Sequence, residues 1–221
     1  MCLILFAWRM HKDYPLVIAA NRDEFHARPT ERLAFWQNRP DVLAGRDIEA
    51  GGTWMGITRS GRFAALTNYR ELADRDRAGR SRGLLVSECL TDEAPAEASV
   101  TRATAEGEAY RGFNLLAADR EALWWTSNRG AGPLRLAPGL YGLSNHLLET
   151  PWPKVVRGRS DSAMRSPARR TRKCCSPCSP IPAWRANTNC RTPVWTAHAN
   201  ACFRQRASCR PPTARARPRP S

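Results

Sequence analysis

The sequence predicts an α+β layered fold followed by a basic tail. Short apolar runs come in pairs joined by turn residues, and two helix-like segments stand between the pairs. Charge is divided unevenly along the chain. Residues 1–158 carry 21 Lys+Arg against 19 Asp+Glu, whereas 159–221 carry 14 against the single acid Asp161. Hairpins interrupted by helices make a layered sheet-and-helix domain, and 221 residues suit one domain with a sizeable core. That domain is expected over residues 1–158, with 159–221 as a basic, low-complexity, disordered tail.

The elements follow in order. Leu3–Trp8 and Leu16–Asn21 are apolar runs separated by a polar segment ending Asp13-Tyr14-Pro15, which predicts two strands and a turn. Asn21-Arg22-Asp23-Glu24 stands at the exit of the second strand. A second pair is TWMGIT at Thr53–Thr58 and FAALTN at Phe63–Asn68, with Gly61 suited to the positive φ of the turn. Ser81–Leu90 and Glu97–Tyr110 read as helices divided at Pro95. Phe113–Ala118, Ala122–Ser127 and Leu140–Ser144 read as further strands. The charged stretch Arg70–Arg82 reads as a solvated loop. Trp54, Trp124 and Trp125 are assigned to the core.

Net charge is +15 with a pI near 10.5, values that ordinarily point to nucleic acid. Here the basic character belongs to the tail, and residues 1–158 are nearly balanced at +2. No apolar run approaches the roughly 20 residues that span a bilayer, and Cys2–Trp8 has neither the charged start nor the length of a secretory signal. Only Cys2 and Cys89 precede the tail, so no disulfide framework is indicated. The expected location is cytoplasmic.

Cys2 directly follows the initiator methionine. It is either a small apolar residue opening a strand or a nucleophile released by loss of Met1, and position alone does not decide. The strings MCLILFAW, AANRDEF, GGTWMGI, TNYR, GFNLL and GLSNHLLETPWPKV occur in that order. This ordered set resembles the NRDE family, also called the transport and Golgi organisation 2 family, from Met1 to about Val156.

The resemblance implies an N-terminal-nucleophile (Ntn) hydrolase-like αββα sandwich of four layers. It implies Cys2 as the nucleophile, with its own α-amine as base, because a free amine titrates near pH 7.7–8.0. By likeness to cysteine amidases of that class, Arg22 and Asp23 orient the thiol, and Asn68 and Asn145 hold the substrate carbonyl and the developing oxyanion. In those amidases the arginine and aspartate are spaced apart, whereas here they adjoin. Neighbours on a strand face opposite ways, so both reach Cys2 only if the backbone bends after Asn21. Other roles for the same residues remain open: a salt-bridge knot at Asn21–Glu24, turn formation by Asn68 and Asn145, and a structural hydrogen bond for His146.

The tail holds Cys174, Cys175, Cys178 and Cys190, but one Cys-x-x-Cys without a second pair is a poor zinc signal. Its arginines show no helical stripe or aromatic interleaving. Read one base earlier, the codons of Cys190–Trp195 permit LPDTGV, and those of Thr213–Ser221 permit a string opening YGTRSST. The family resemblance implies those two strings, in that order, after TPWPKV. A frameshift from a single-base deletion near Arg157–Asp161 is therefore expected, which leaves the sandwich incomplete.

Acyl transfer from an amide or ester of unidentified structure to Cys2, then hydrolysis, is the leading expectation, with no cofactor, no metal and no nucleic acid. The rival is a non-enzymatic carrier or trafficking factor in Golgi or membrane organisation, with a haem or lipid ligand.

Overall fold

The computed structural model describes residues 2–24, 27–71, 79–164 and 194–196. The chain opens with the antiparallel hairpin β1 (Leu3–Trp8) and β2 (Leu16–Asn21), in register from Leu3 opposite Asn21 to Trp8 opposite Leu16. Two strands follow that the sequence pattern did not reveal, β3 (Thr30–Trp36) and β4 (Arg39–Asp47). All of β3 but Trp36 is exposed, so it lacks the alternation of a half-buried strand, and β4 contains Pro40 and Gly45. Proline is tolerated near the start of a strand.

The expected second hairpin is β5 (Met55–Thr58) and β6 (Phe63–Asn68). Next come α1 (Arg82–Thr91) and α2 (Ala96–Ala105). The predicted helix to Tyr110 instead stops at Ala105 and ends in a 3-10 turn, Gly107–Ala109. The turn is held by Asn128, whose Nδ2 donates to the carbonyls of Gly107, Tyr110 and Arg111. The remaining elements are β7 (Phe113–Ala118), β8 (Leu123–Ser127), β9 (Leu134–Arg135), β10 (Gly139–Leu143), α3 (Pro153–Met164) and β11 (Val194–Thr196).

These strands form two antiparallel sheets. The larger runs β3-β4-β5-β6-β7-β8-β9 and the smaller β10-β1-β2-β11. Strands β6 and β7 are buried on both faces, and their side chains divide by parity. Ala64, Leu66, Phe113, Leu115 and Ala117 pack with Leu85, Val86, Leu90 and Val100 of α1 and α2. Phe63, Ala65, Leu116 and Ala118 pack with Ile4, Phe6, Trp8 and Ile18 of the smaller sheet. Such period-two division is what a sheet sandwiched between layers requires.

The outer face of the smaller sheet carries α3. A Cβ on Gly158 would stand 2.4 Å from Leu5 Cδ1, and one on Gly142 2.5 Å from Val155 Cγ1, so glycine permits this close approach. Helix α3 continues to Met164, across the boundary expected at 158, and β11 pairs with β2 through Val194 opposite Ala19. The tail cysteines lie outside the described residues, as does most of the loop expected at Arg70–Arg82. Among the described residues, no helix is long and apolar enough to cross a membrane.

Candidate functional site

Cys2 lies one residue before β1 and is buried. Its carbonyl accepts two hydrogen bonds, from Ser144 Oγ at 2.8 Å and from Lys154 Nζ at 2.9 Å. The first residue of the fold is therefore held by the loop after β10 and by the start of α3.

Strand β2 stops at Asn21, which stands opposite Leu3 at the same end of the hairpin as Cys2. Beyond it the chain leaves strand geometry, and neighbours no longer need to face opposite ways. Arg22 and Asp23 both line the cavity that Cys2 lines. The residues pair two apart: Asn21 Nδ2 donates to Asp23 Oδ1 at 2.9 Å, and Arg22 Nη2 to Glu24 Oε2 at 3.0 Å. Arg22 also stands 3.6 Å from Asp47, which accepts from Arg28 Nε at 2.6 Å and from the Ala50 amide at 3.0 Å. Burial pushes the Asp47 carboxyl up, but the bonds from Arg28 and Ala50 and the arginine charges outweigh it and hold it below the usual range.

The cavity measures about 530 Å³. Leu16 and Ile18 of the smaller sheet face Leu43, Met55, Ile57 and Phe63 of the larger one across it. Arg80, Arg82 and Arg111 line it near the start of α1. This is an apolar cleft with charged walls, of the size that takes a small molecule. Trp54 also lines it and is half-buried, as is Trp124, whereas Trp125 is core.

Asn68, at the end of β6, lines the cavity as well. Asn145 is buried and is not on the cavity wall. Its Nδ2 donates to the Asn68 carbonyl at 3.0 Å, so the structure brings the two asparagines together in series and not side by side. His146 is bonded to Tyr69 Oη at 2.8 Å and Thr150 Oγ1 at 3.0 Å, the structural role expected of it, and lies off the cavity wall.

Burial pushes the Cys2 thiol up; the positive chain terminus, Arg22 and Lys154 draw it down, Glu24 opposes them, and the net direction is upward. Cys89, on the buried face of α1, is pushed up to about 12 and is a core residue. Among the described residues no group of three His, Cys, Asp or Glu side chains could hold a metal ion. Sequence reasoning missed Ser144, Lys154 and Asp47. Lys154 was visible within the string TPWPKV, but nothing in that string shows that it reaches Cys2.

The family described as Transport and Golgi organisation 2 matches residues 1–172. Among curated proteins, the chain is 44% identical over 172 residues to the Transport and Golgi organization protein 2 homolog of Bos taurus, covering 72% of this chain and 62% of that protein. It is 42% identical to the Homo sapiens homolog with the same coverage. It is 31% identical over 189 residues to Transport and Golgi organization protein 2 of Drosophila melanogaster, covering 73% of this chain and 63% of the fly protein. The chain thus spans less than two thirds of the length of these relatives.

Proposed function

Because this chain belongs to the Transport and Golgi organisation 2 family, we propose that it carries a thiol acyl-transfer site built on Cys2. Removal of Met1 frees the α-amine of Cys2, which takes the thiol proton. The sulfur attacks an amide or ester carbonyl seated in the cavity, forming a thioester bond as the C–N or C–O bond breaks. The leaving amine or alcohol departs with the proton, and water then hydrolyses the thioester. Arg22 and Asp23 orient the thiol and carbonyl, Asn68 stabilises the oxyanion, and Asn145 braces Asn68 from behind.

The observation that carries this reading is the convergence of Cys2, Arg22, Asp23 and Asn68 on one cavity. The stacking of helices, large sheet, small sheet and α3 accords with an N-terminal-nucleophile hydrolase fold. A reactive acyl ester tests the proposal, with adducts mapped to the Cys2 peptide by mass. The adduct should form on the Met1-free chain and vanish in Asn68→Ala or become about a hundredfold slower. No adduct on Cys2 at any pH contradicts it.

A second reading, cytoplasmic carriage of a lipid or haem in membrane organisation, is favoured by the apolar side chains that face one another across the cavity and by the upward pull of burial on the Cys2 thiol. Relatives named for transport and Golgi organization favour a trafficking role. Saturable binding of a fluorescent fatty acid or of haem without a Cys2 adduct supports carriage.

A further inference from the structure

Lys154 is the second residue of α3, where a cation stands against the positive end of the helix. Burial, the first influence on it, drives its ammonium toward neutrality, and Arg70 adds repulsion, while the nearby Cys2 favours the charge. Its Nζ donates a 2.9 Å hydrogen bond to the Cys2 carbonyl. A residue's own carbonyl and side chain are only a few bonds apart, so the ammonium lies within about a screening length of the thiol.

We propose that Lys154 is the positioning residue for Cys2: its ammonium grips the Cys2 carbonyl, fixes how the thiol enters the cavity, and favours the thiolate. This rests on the reading of Cys2 as nucleophile. Ser144 Oγ supplies the neutral half of the same clamp at 2.8 Å. Other charges near Cys2 come from Arg22 and Glu24, in the segment after β2, and from the chain's amine, and the Asp23 carboxylate lines the same cavity. Arg22 is bonded to Glu24 and lies 3.6 Å from Asp47, so its charge is shared among carboxylates. Lys154 is thus the cation that α3 contributes to the thiol, with Arg70 behind it.

The test is the pH dependence of Cys2 alkylation by iodoacetamide, from about pH 6 to 12, read as the mass of the Cys2 peptide. The Met1-free chain is compared with Lys154→Gln, Lys154→Arg and a chain extended at its N-terminus. Glutamine keeps a donor for the carbonyl but removes the charge. In Lys154→Gln the alkylation midpoint should rise by about one pH unit, giving about tenfold slower alkylation near neutrality, and Lys154→Arg should restore most of it. A midpoint unchanged in Lys154→Gln, with circular dichroism matching the parent, overturns the assignment. If glutamine disturbs the fold, Lys154→Arg carries the test: with the charge kept its midpoint should match the parent, and a midpoint about one unit higher counts against the charge. The extended chain separates the two claims. Titration identical to the processed chain contradicts the N-terminal nucleophile, whatever Lys154 does. A shift with extension but none with Lys154→Gln contradicts Lys154 alone.

Discussion

Asn145 Nδ2 donates to the main-chain carbonyl of Asn68 at 3.0 Å, joining the loop after β10 to the end of β6. Neighbouring bonds tighten the same seam. Thr67 Oγ1 donates to the Ser144 carbonyl at 2.6 Å, and Asn114 Nδ2 donates to the His146 carbonyl at 3.0 Å. The small sheet that carries Cys2 is thereby fixed against the large sheet that carries Asn68.

The two asparagines should therefore respond differently to substitution. Asn145→Ala removes a buried donor and should destabilise the fold by about 1–3 kcal/mol, read as a lower urea midpoint. Asn68→Ala, at an exposed position, should change stability by less than about 0.5 kcal/mol. Equal destabilisation by both would contradict the serial arrangement.

Asp47 ties Arg28 and Arg22 to the end of β4. Asp47→Asn should cost about 1.5–3 kcal/mol at neutral pH, the range for hydrogen bonds to a charged group. The folded-state carboxyl titrates below its ordinary 3.8. Its contribution is then full above that value and is lost as pH falls through the lower folded value. Urea midpoints of parent and variant should differ at pH 7 and converge as pH falls below about 3.8. A gap that persists in acid would assign the loss to packing.

Gly52, in the string GGTWMGI, lies against the start of α1. A Cβ there would stand 2.4 Å from the Gly83 carbonyl carbon and 2.8 Å from the Leu84 amide nitrogen, both backbone atoms that cannot swing aside. Gly52→Ala should cost about 1–3 kcal/mol or more and displace the wall that Thr53 and Gly83 give the cavity. Unchanged thermal unfolding would show that α1 approaches less closely than described.

What was legible in the sequence is what period-two burial writes into it. Ile4, Phe6 and Trp8 alternate with half-exposed neighbours, and β1, β2, β6 and β7 were read to the residue. Strands β3 and β4 were not, because Leu33 and Phe35 remain exposed and pairing there follows from neighbouring strands more than from burial. In the site, Arg22 and Asp23 presented a contradiction that the end of β2 at Asn21 resolves. Lys154 and Ser144 reach Cys2 across more than 140 residues of chain, a contact no local pattern encodes.

The reading frame of the tail has its own check. The gene, read across the codons of Arg157–Asp161, should contain a one-base-offset frame spelling LPDTGV and then YGTRSST. The family match ends at residue 172. A gene in which no offset frame encodes those strings would contradict the expectation.

The most direct measurement compares acylation of Cys2 in the chain freed of Met1 with acylation in the same chain carrying one added N-terminal residue. Extension leaves the thiol, Arg22, Asp23 and Asn68 where they are, but turns the basic amine into an amide that accepts no proton. The account predicts rapid labelling of the Cys2 peptide in the processed chain and labelling slower by about two orders of magnitude or more in the extended one, the scale of general-base assistance. Equal labelling of the two would contradict it and leave Cys2 as a buried residue just before β1.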